Sequence, residues 1–322
     1  VYVKCWGTRG SLPVPTSHER FLTILEDAVV QGSKIGVTNA HELLTALKDG
    51  RLNHPIVFGG NTSCTELHHG GQSVYIDMGS GFREAGTAAM QQGVKEFHVF
   101  MTHMHWDHIM GMPFFIPIHI PGYKVNIYHV HRNAPEFIRI NFNGVNFPLA
   151  WGQLGSTVEF HQLKLYETIS IGPLTVRPFV LDHPGGSFGF RIEGGGRSFA
   201  IGVDGEFKRL TPSELGKDLE FYQNLDGLLF DAQYEMSELA SRFDWGHCSP
   251  NIGIDLALRE GIKTVLFTHH DPWSTEEKLR RMYANAMKYL HSQLDSYRAV
   301  WEKVQPEGPR LRLAYDGLKV EL

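Results

Sequence analysis

A chain of 322 residues, 42% hydrophobic and 20% charged, is long enough to bury a large core, as one large domain or two small ones. Its net charge of −5 supplies no electrostatic reason to bind a nucleic-acid polymer. Three cysteines (Cys5, Cys64, Cys248) without CxxC spacing argue against a disulfide framework, and no apolar run reaches the roughly 18 residues of a membrane span. The expected setting is cytoplasmic.

Residues 1–6 pattern as a strand rather than a signal peptide, and the turn-rich Gly7-Thr8-Arg9-Gly10-Ser11 follows. Residues 14–56 break the β pattern. Ser17 can cap a helix bearing Phe21, Ile24, Leu25 and Ala28; Asn39 with Glu42 can open a second, bearing Leu43, Leu44 and Leu47 and stopped by Gly50. This stretch is expected to be a helical insertion between two parts of one sheet. Strands are expected at 64–68, 73–77, 97–101, 124–130, 174–181, 187–193, 198–203, 227–231 and 263–267. Between them fall a helix near 83–92 and a helix at about 249–260, with Ser249 as cap, Pro250 at its first position and Gly261 as stop. The longest helix is predicted to start at Ser274, boxed with Glu277, and to bury a stripe of Leu279, Met282, Tyr283, Ala286, Leu290, Leu294, Tyr297 and Trp301. Strands 310–315 and 318–322 are predicted to form a hairpin about Asp316-Gly317. Strand and helix blocks recur without a linker, so one αββα-type α/β domain over 1–322 is expected.

The chemistry concentrates in THMHWDH at 102–108, directly after the 97–101 strand. His103, His105, Asp107 and His108 are the ligand types that zinc and similar divalent ions select. Three further apolar strands end in such residues: His183 after 174–181, Asp204 after 198–203 and His269 after 263–267. A lone histidine at a strand end is usually structural, but four metal-type side chains within six residues are hard to explain otherwise. His270 and Asp182 neighbour these positions and are the alternative ligands.

THMHWDH with downstream His183, Asp204 in GVDGE and His269 in FTHHDP resembles the metallo-β-lactamase superfamily. Gly7–Ser11, the run Gly59-Gly60-Asn61-Thr62-Ser63-Cys64, Asp77-Met78-Gly79-Ser80-Gly81 and the final AYDGLKVEL are similar to its phosphodiesterase branch near the tRNA 3′-processing endonucleases, which includes cyclic-nucleotide phosphodiesterases. The resemblance implies an αββα sandwich of two mixed sheets flanked by helices. It also implies one metal on His103, His105 and His183, another on Asp107, His108 and His269, and Asp204 bridging. Two Zn2+ are implied, Mn2+ being a conceivable substitute, and family members are often homodimers.

Two such ions, about 3.5–4 Å apart, would activate a shared hydroxide for attack at phosphorus or a carbonyl carbon. A phosphodiester also needs a proton for the departing alkoxide. His247, just before the 249 helix, is the candidate general acid, as in similar phosphodiesterases. A helix N-terminus disfavours imidazolium, so a carboxylate must offset it; Asp231, Glu235 and Asp244 are available, and Asp231, at a strand end, is the choice. Asn61, Thr62 and Ser63 are candidate phosphate donors or merely a tight turn. Arg9 either meets substrate or makes an internal salt bridge. The stretch 135–155, with Phe137, Phe142, Asn146, Phe147 and Trp151, is a candidate lid whose aromatics either stack on a base or pack. The expected function is hydrolysis of a small phosphodiester of the cAMP or cGMP type. The alternatives are a tRNA 3′-end endonuclease, which usually carries a Gly- and Lys-rich arm absent here, a lactonase, β-lactamase or thioesterase, and a non-catalytic metal-binding protein.

Overall fold

The computed structural model describes residues 1–49, 51–52, 57–300 and 308–322, and side chains only to 296 within the last helix before the gap. Two seven-stranded sheets face each other. In the first, β1 (Tyr2–Gly7), β2 (Cys64–His69), β3 (Gln72–Ile76), β4 (Glu96–Met101), β5 (Lys124–His129) and β6 (Thr157–Gln162) lie side by side in chain order, and β14 (Lys319–Glu321) joins β1. The second runs from β7 (Ile169–Ile171) through β8 (Leu174–Leu181), β9 (Ser187–Gly194), β10 (Arg197–Gly202), β11 (Gly227–Asp231) and β12 (Thr264–Thr268) to β13 (Arg310–Leu313). Three apolar layers hold the stack. Val3, Leu67, Phe100, Phe190, Ile201 and Leu266 pack between the sheets. The outer face of the first sheet is covered by α3 (Phe82–Gln91) and that of the second by α7 (Pro250–Glu260) and α8 (Glu276–Val300). This is the αββα sandwich of two mixed sheets that the motifs imply.

Strand direction places the site. β3, β4 and β5 are parallel, as are β10, β11 and β12. β8 and β10 are each antiparallel to β9, so they run the same way. All these carboxyl ends therefore open on one edge, where α/β sheets gather their ligands.

Local chemistry accounts for most boundaries. Ser17 and Asn39 cap α1 (His18–Lys34) and α2 (Ala40–Lys48) by accepting from the N–H groups of Arg20 and Glu42. The Gly50 stop lies outside the described residues. Ile24 and Ala28 are buried, but Phe21, Leu25 and Leu44 are exposed, so this inserted pair packs thinly. Gly261 ends α7 in the left-handed region. The stripe of α8 is buried at Leu279, Met282, Ala286, Leu290 and Leu294; Trp301 and the Tyr297 side chain lie outside the described residues.

Four expectations need correction. The cap of α8 is Thr275, whose hydroxyl accepts from Lys278 N–H, because Ser274 is committed to a turn through its own N–H on the Asp271 carbonyl. Ser249 sits at the start of α7 but its hydroxyl turns to the Met236 sulfur and caps nothing. The predicted hairpin at 310–322 does not form: β13 pairs with β12 and β14 with β1, in different sheets. Asp316 is instead anchored between the sheets, accepting from Thr8 Oγ1 and from the N–H groups of Gly60 and Asn61, so the chain crosses rather than turning back. Finally, β6 and β7 were not anticipated; both are half-buried edge strands with little apolar periodicity. Among the described residues no helix is long and apolar enough to cross a membrane, and the three cysteines are buried and free.

Candidate metal centre

The β4 end delivers four side chains at once. His103 and His105 leave the strand in extended backbone, and the short α4 (Trp106–Ile109) presents Asp107 and His108. The second sheet contributes His183 past β8, Asp204 past β10 and His269 past β12. Asp204 and His269 take left-handed φ values of 61° each, as does Asp77 past β3 at 65°. Non-glycine residues there cost about 1–3 kcal/mol each. The conformation turns the chain abruptly beyond the strand, and the close packing around it pays that cost.

Seven side chains converge. Ligand atoms of His103, His105 and His183 lie within 4.8 Å of one another, and so do those of Asp107, His108 and His269. Asp204 stands between the groups. Its Oδ1 is 4.0 Å from His103 Nε2 and 3.9 Å from His183 Nε2, while Oδ2 is 3.0 Å from His108 Nε2 and 3.2 Å from His269 Nε2. His103 Nε2, His108 Nε2 and Asp204 Oδ2 are buried and make no well-formed hydrogen bond, although the last two are close. Buried polar groups are normally paired. Unpaired atoms of ligand type aimed at common points fit the binding of divalent metal.

The opposite faces of the rings are fixed, as metal-binding imidazoles require. His108 Nδ1 donates to Asp77 at 2.7 Å, His103 Nδ1 meets Thr102 Oγ1 at 3.0 Å and His183 Nδ1 donates to the Gly246 carbonyl at 2.9 Å. Asp77, fully buried and also bonded by Thr102, orients His108; the sequence motif Asp77-Met78-Gly79-Ser80-Gly81 contains it, but a carboxylate one residue past an apolar strand does not by itself reveal that role. Two glycines have geometric reasons. A Cβ on Gly246, at φ 85°, would overlap His183 Nδ1, and one on Gly10 would come within 2.6 Å of His269 Nδ1.

The electrostatics agree with cation binding. Burial opposes protonation of His108, yet Asp107, Asp204 and Asp77 raise it well above the ordinary imidazole range. Burial likewise opposes protonation of His269, but Asp204 and the hydrogen bond with Asp107 raise it to about 9. In return, and also against burial, His269, His108 and His103 hold Asp204 well below the carboxylate range. The carboxylates thus demand positive charge at this point.

His247 and Asp231 form a second unit. His247 Nδ1 donates to Asp231 Oδ2 at 2.9 Å, and the imidazole stacks on His269 with ring centroids 5.0 Å apart. Asp231 and His247 also group with Asp204 and His269 within metal-binding distance. Asp231, however, accepts from His247 and from the N–H groups of Asp204, Gln233 and Cys248. A carboxylate offers about four lone pairs, and all are in use, so Asp231 orients His247 rather than binding an ion. The alternative carboxylates are engaged elsewhere, Asp244 with Lys208 and Glu235 with Arg281.

The neighbours of the ligands are structural. His270 donates to the Ala314 carbonyl and Asp182 pairs with Arg209. Arg9 is fully buried, donating to the carbonyls of Gly59, Asp271 and Ser274, which removes it from substrate contact. Thr62 is spent in the turn, where it exchanges hydrogen bonds with Ser80, and the Ser63 carbonyl accepts from Gly79 N–H. Of the two alternatives expected for this run, Thr62 takes the tight turn, and Asn61 lines a cavity. The 135–155 stretch holds the short α5 (Ala134–Arg139) and borders that cavity through Asn146 and Phe147.

Residues 73–270 match the family described as the beta-lactamase superfamily domain, and the chain belongs to that superfamily. The uncharacterized protein Rv1339 of Mycobacterium tuberculosis is 25% identical over 219 residues, 63% of this chain and 71% of its own. Ribonuclease Z of Staphylococcus carnosus is 26% identical over 153 residues, 44% of this chain and 45% of that one. The metallo-beta-lactamase fold protein YhfI of Bacillus subtilis has the same fold, with a TM-score of 0.65 at 14% identity over 99% of this chain and 98% of its own.

Proposed function

We propose that this chain is a dinuclear-zinc phosphodiesterase, with manganese as a substitute metal, that hydrolyses a small cyclic nucleotide of the cAMP or cGMP type. The observation that carries the reading is the buried His247–Asp231 pair stacked on His269 beside the ligand cluster. Two divalent ions on the two groups would polarise a phosphoryl oxygen and ready a water for attack. His103, His105 and His183 would hold one, Asp107, His108 and His269 the other, and Asp204 both. Attack at phosphorus drives out an alkoxide, which needs a proton in the transition state. With Nδ1 donating to Asp231, His247 can deliver a proton only from Nε2. Through that bond Asp231 fixes the ring and the Nδ1–H side of the imidazole.

A ribonuclease among the relatives supports phosphodiester chemistry. The net charge of −5 favours a small substrate over a polynucleotide, and a tRNA 3′-end endonuclease is the second reading. Exposed Phe21, Leu22, Leu25 and Val29 along α1 support the further proposal of a homodimer, which a monomer in light scattering would remove. The zinc-loaded protein should cleave 3′,5′- or 2′,3′-cyclic nucleotides in preference to precursor tRNA or a lactam reporter. Cleavage of precursor tRNA alone would overturn the proposal.

A further inference from the structure

Beside the metal centre lies a cavity of about 430 Å³ whose chemistry differs sharply from that of the cluster. It adjoins the centre through two short connections. Trp106 stands between the ligands His105 and Asp107, and Pro13 lies two residues beyond Ser11, whose N–H donates to Asp107. Its walls are aromatic. Phe114 and Phe147 meet edge to face at 5.7 Å and 84°, and Phe147 is held from behind by His119 and Phe142. Trp106 is 70% exposed, a large apolar surface that packing alone leaves uncovered.

The neutral polar groups of the lining are the amides of Asn61, Asn141 and Asn146 and the hydroxyl of Ser80, which is bonded to Thr62 N–H and Asn61. Asn61 Oδ1 accepts from Ser80, and among the described residues its Nδ2 has no protein partner; the Asn146 side-chain amide has none either. Arg83 is the one charged residue in the lining, and it pairs with Glu84. A cavity with aromatic walls, an amide rim and one partly neutralised cation suits a flat, neutral, hydrogen-bonding group, not a second phosphate. Size agrees, since small-ligand sites span about 300–1,000 Å³.

We infer that this cavity is the base pocket of the enzyme: Trp106 and Phe147 sandwich the nucleobase of a nucleoside phosphate ester, and the amides of Asn61 and Asn146 bond its edge. The inference rests on the phosphodiesterase reading and assigns the residues that would hold the base of its substrate. The 135–155 stretch then acts as part of the binding wall, supplying Phe147 and Asn146.

The test measures binding, by calorimetry on the full chain, of AMP, adenosine and ribose 5-phosphate. The base should tighten AMP over ribose 5-phosphate roughly 10- to 100-fold, the range of one stacking contact removed by alanine. That advantage should collapse in Trp106→Ala and in Phe147→Ala and largely return in Trp106→Phe, which restores an aromatic face. Trp106 is exposed enough for its replacement to leave the fold intact, and thermal melting checks this. Ribose 5-phosphate binding as tightly as AMP would overturn the pocket, as would an advantage that survives both alanine variants. Adenosine separates the two levels of the argument. If it binds and loses affinity in the variants while no cyclic nucleotide is cleaved, the phosphodiesterase reading fails and the base pocket stands.

Discussion

The two sheets supply the centre in different ways. The first delivers His103, His105, Asp107 and His108 from one strand end and one short helix, with Asp77 behind them. The second delivers His183, Asp204, Asp231 and His269 from four strands, one residue each, and adds His247 from the loop before α7. One side is a local motif that needs only a strand and a turn. The other exists only because four carboxyl ends share an edge. On the proposed function, the comparison implies a division of labour, in which the first sheet would hold metal and the second would also perform proton transfer.

The largest expected effect tests that division directly. His247→Ala should lower phosphodiester turnover about 10²- to 10⁴-fold, the usual range for a general acid, with metal content by atomic emission retained. Near-normal turnover would sink the assignment, and loss of metal would mean that the second sheet's loop is a ligand. On the first sheet, Asp77→Asn should do the reverse. It weakens the partner of His108 Nδ1, so metal affinity should fall about 10- to 100-fold, with turnover recovering at saturating zinc.

A smaller effect is expected where the sheets are stapled together. Asp316 uses Oδ1 for Thr8 and Oδ2 for Gly60 and Asn61. An asparagine would turn a donor toward one of those partners, costing about 1–3 kcal/mol in denaturant unfolding. Burial pushes the Asp316 carboxyl up to about 6, outweighing its hydrogen bonds. A carboxyl raised on folding binds its proton better in the native state, so wild-type stability from this group falls as pH climbs from the ordinary carboxylate value to about 6. The deficit of Asp316→Asn should therefore be largest near pH 4 and narrow toward pH 6. A deficit constant with pH would show that the carboxyl does not titrate there.

The subtlest measurement concerns protons. Against burial, Asp107, Asp204 and Asp77 raise His108 well above the ordinary imidazole range, and Asp204 and Asp107 raise His269 to about 9, so folding favours a proton on each. Ions can bind only as those protons leave. Zinc titrations in buffers of different ionisation enthalpy should report about two protons released per chain at pH 7. Release near zero would mean that the two imidazoles are already neutral and that charge pairing with Asp204 is weaker than the geometry indicates.

Legibility in the sequence followed range. The HxHxDH cluster, the Asn39 cap and the Pro250 and Gly261 signals of α7 are written in a few adjacent residues, and the motifs sufficed to name the superfamily and the sandwich. Alternating and apolar runs located the central strands, because burial on both faces demands such runs. What local pattern could not decide is what sequence-distant groups do to one another. Asp316-Gly317 has hairpin chemistry, yet three donors from Thr8, Gly60 and Asn61 hold it in a crossing between sheets. Arg9 and Thr62 carry phosphate-binding groups by type, but folding consumes them internally. Asp231 is legible from its strand end as the partner of His247, but the N–H groups of Asp204, Gln233 and Cys248 that fill its remaining lone pairs are not. The sequence determined the ligand types and the strand that carries the first four, since these depend on neighbours in the chain. Only the tertiary structure decided how near Asp204 stands to both groups, that backbone donors saturate Asp231, and that an aromatic cavity adjoins them, because each depends on the edge the two sheets share.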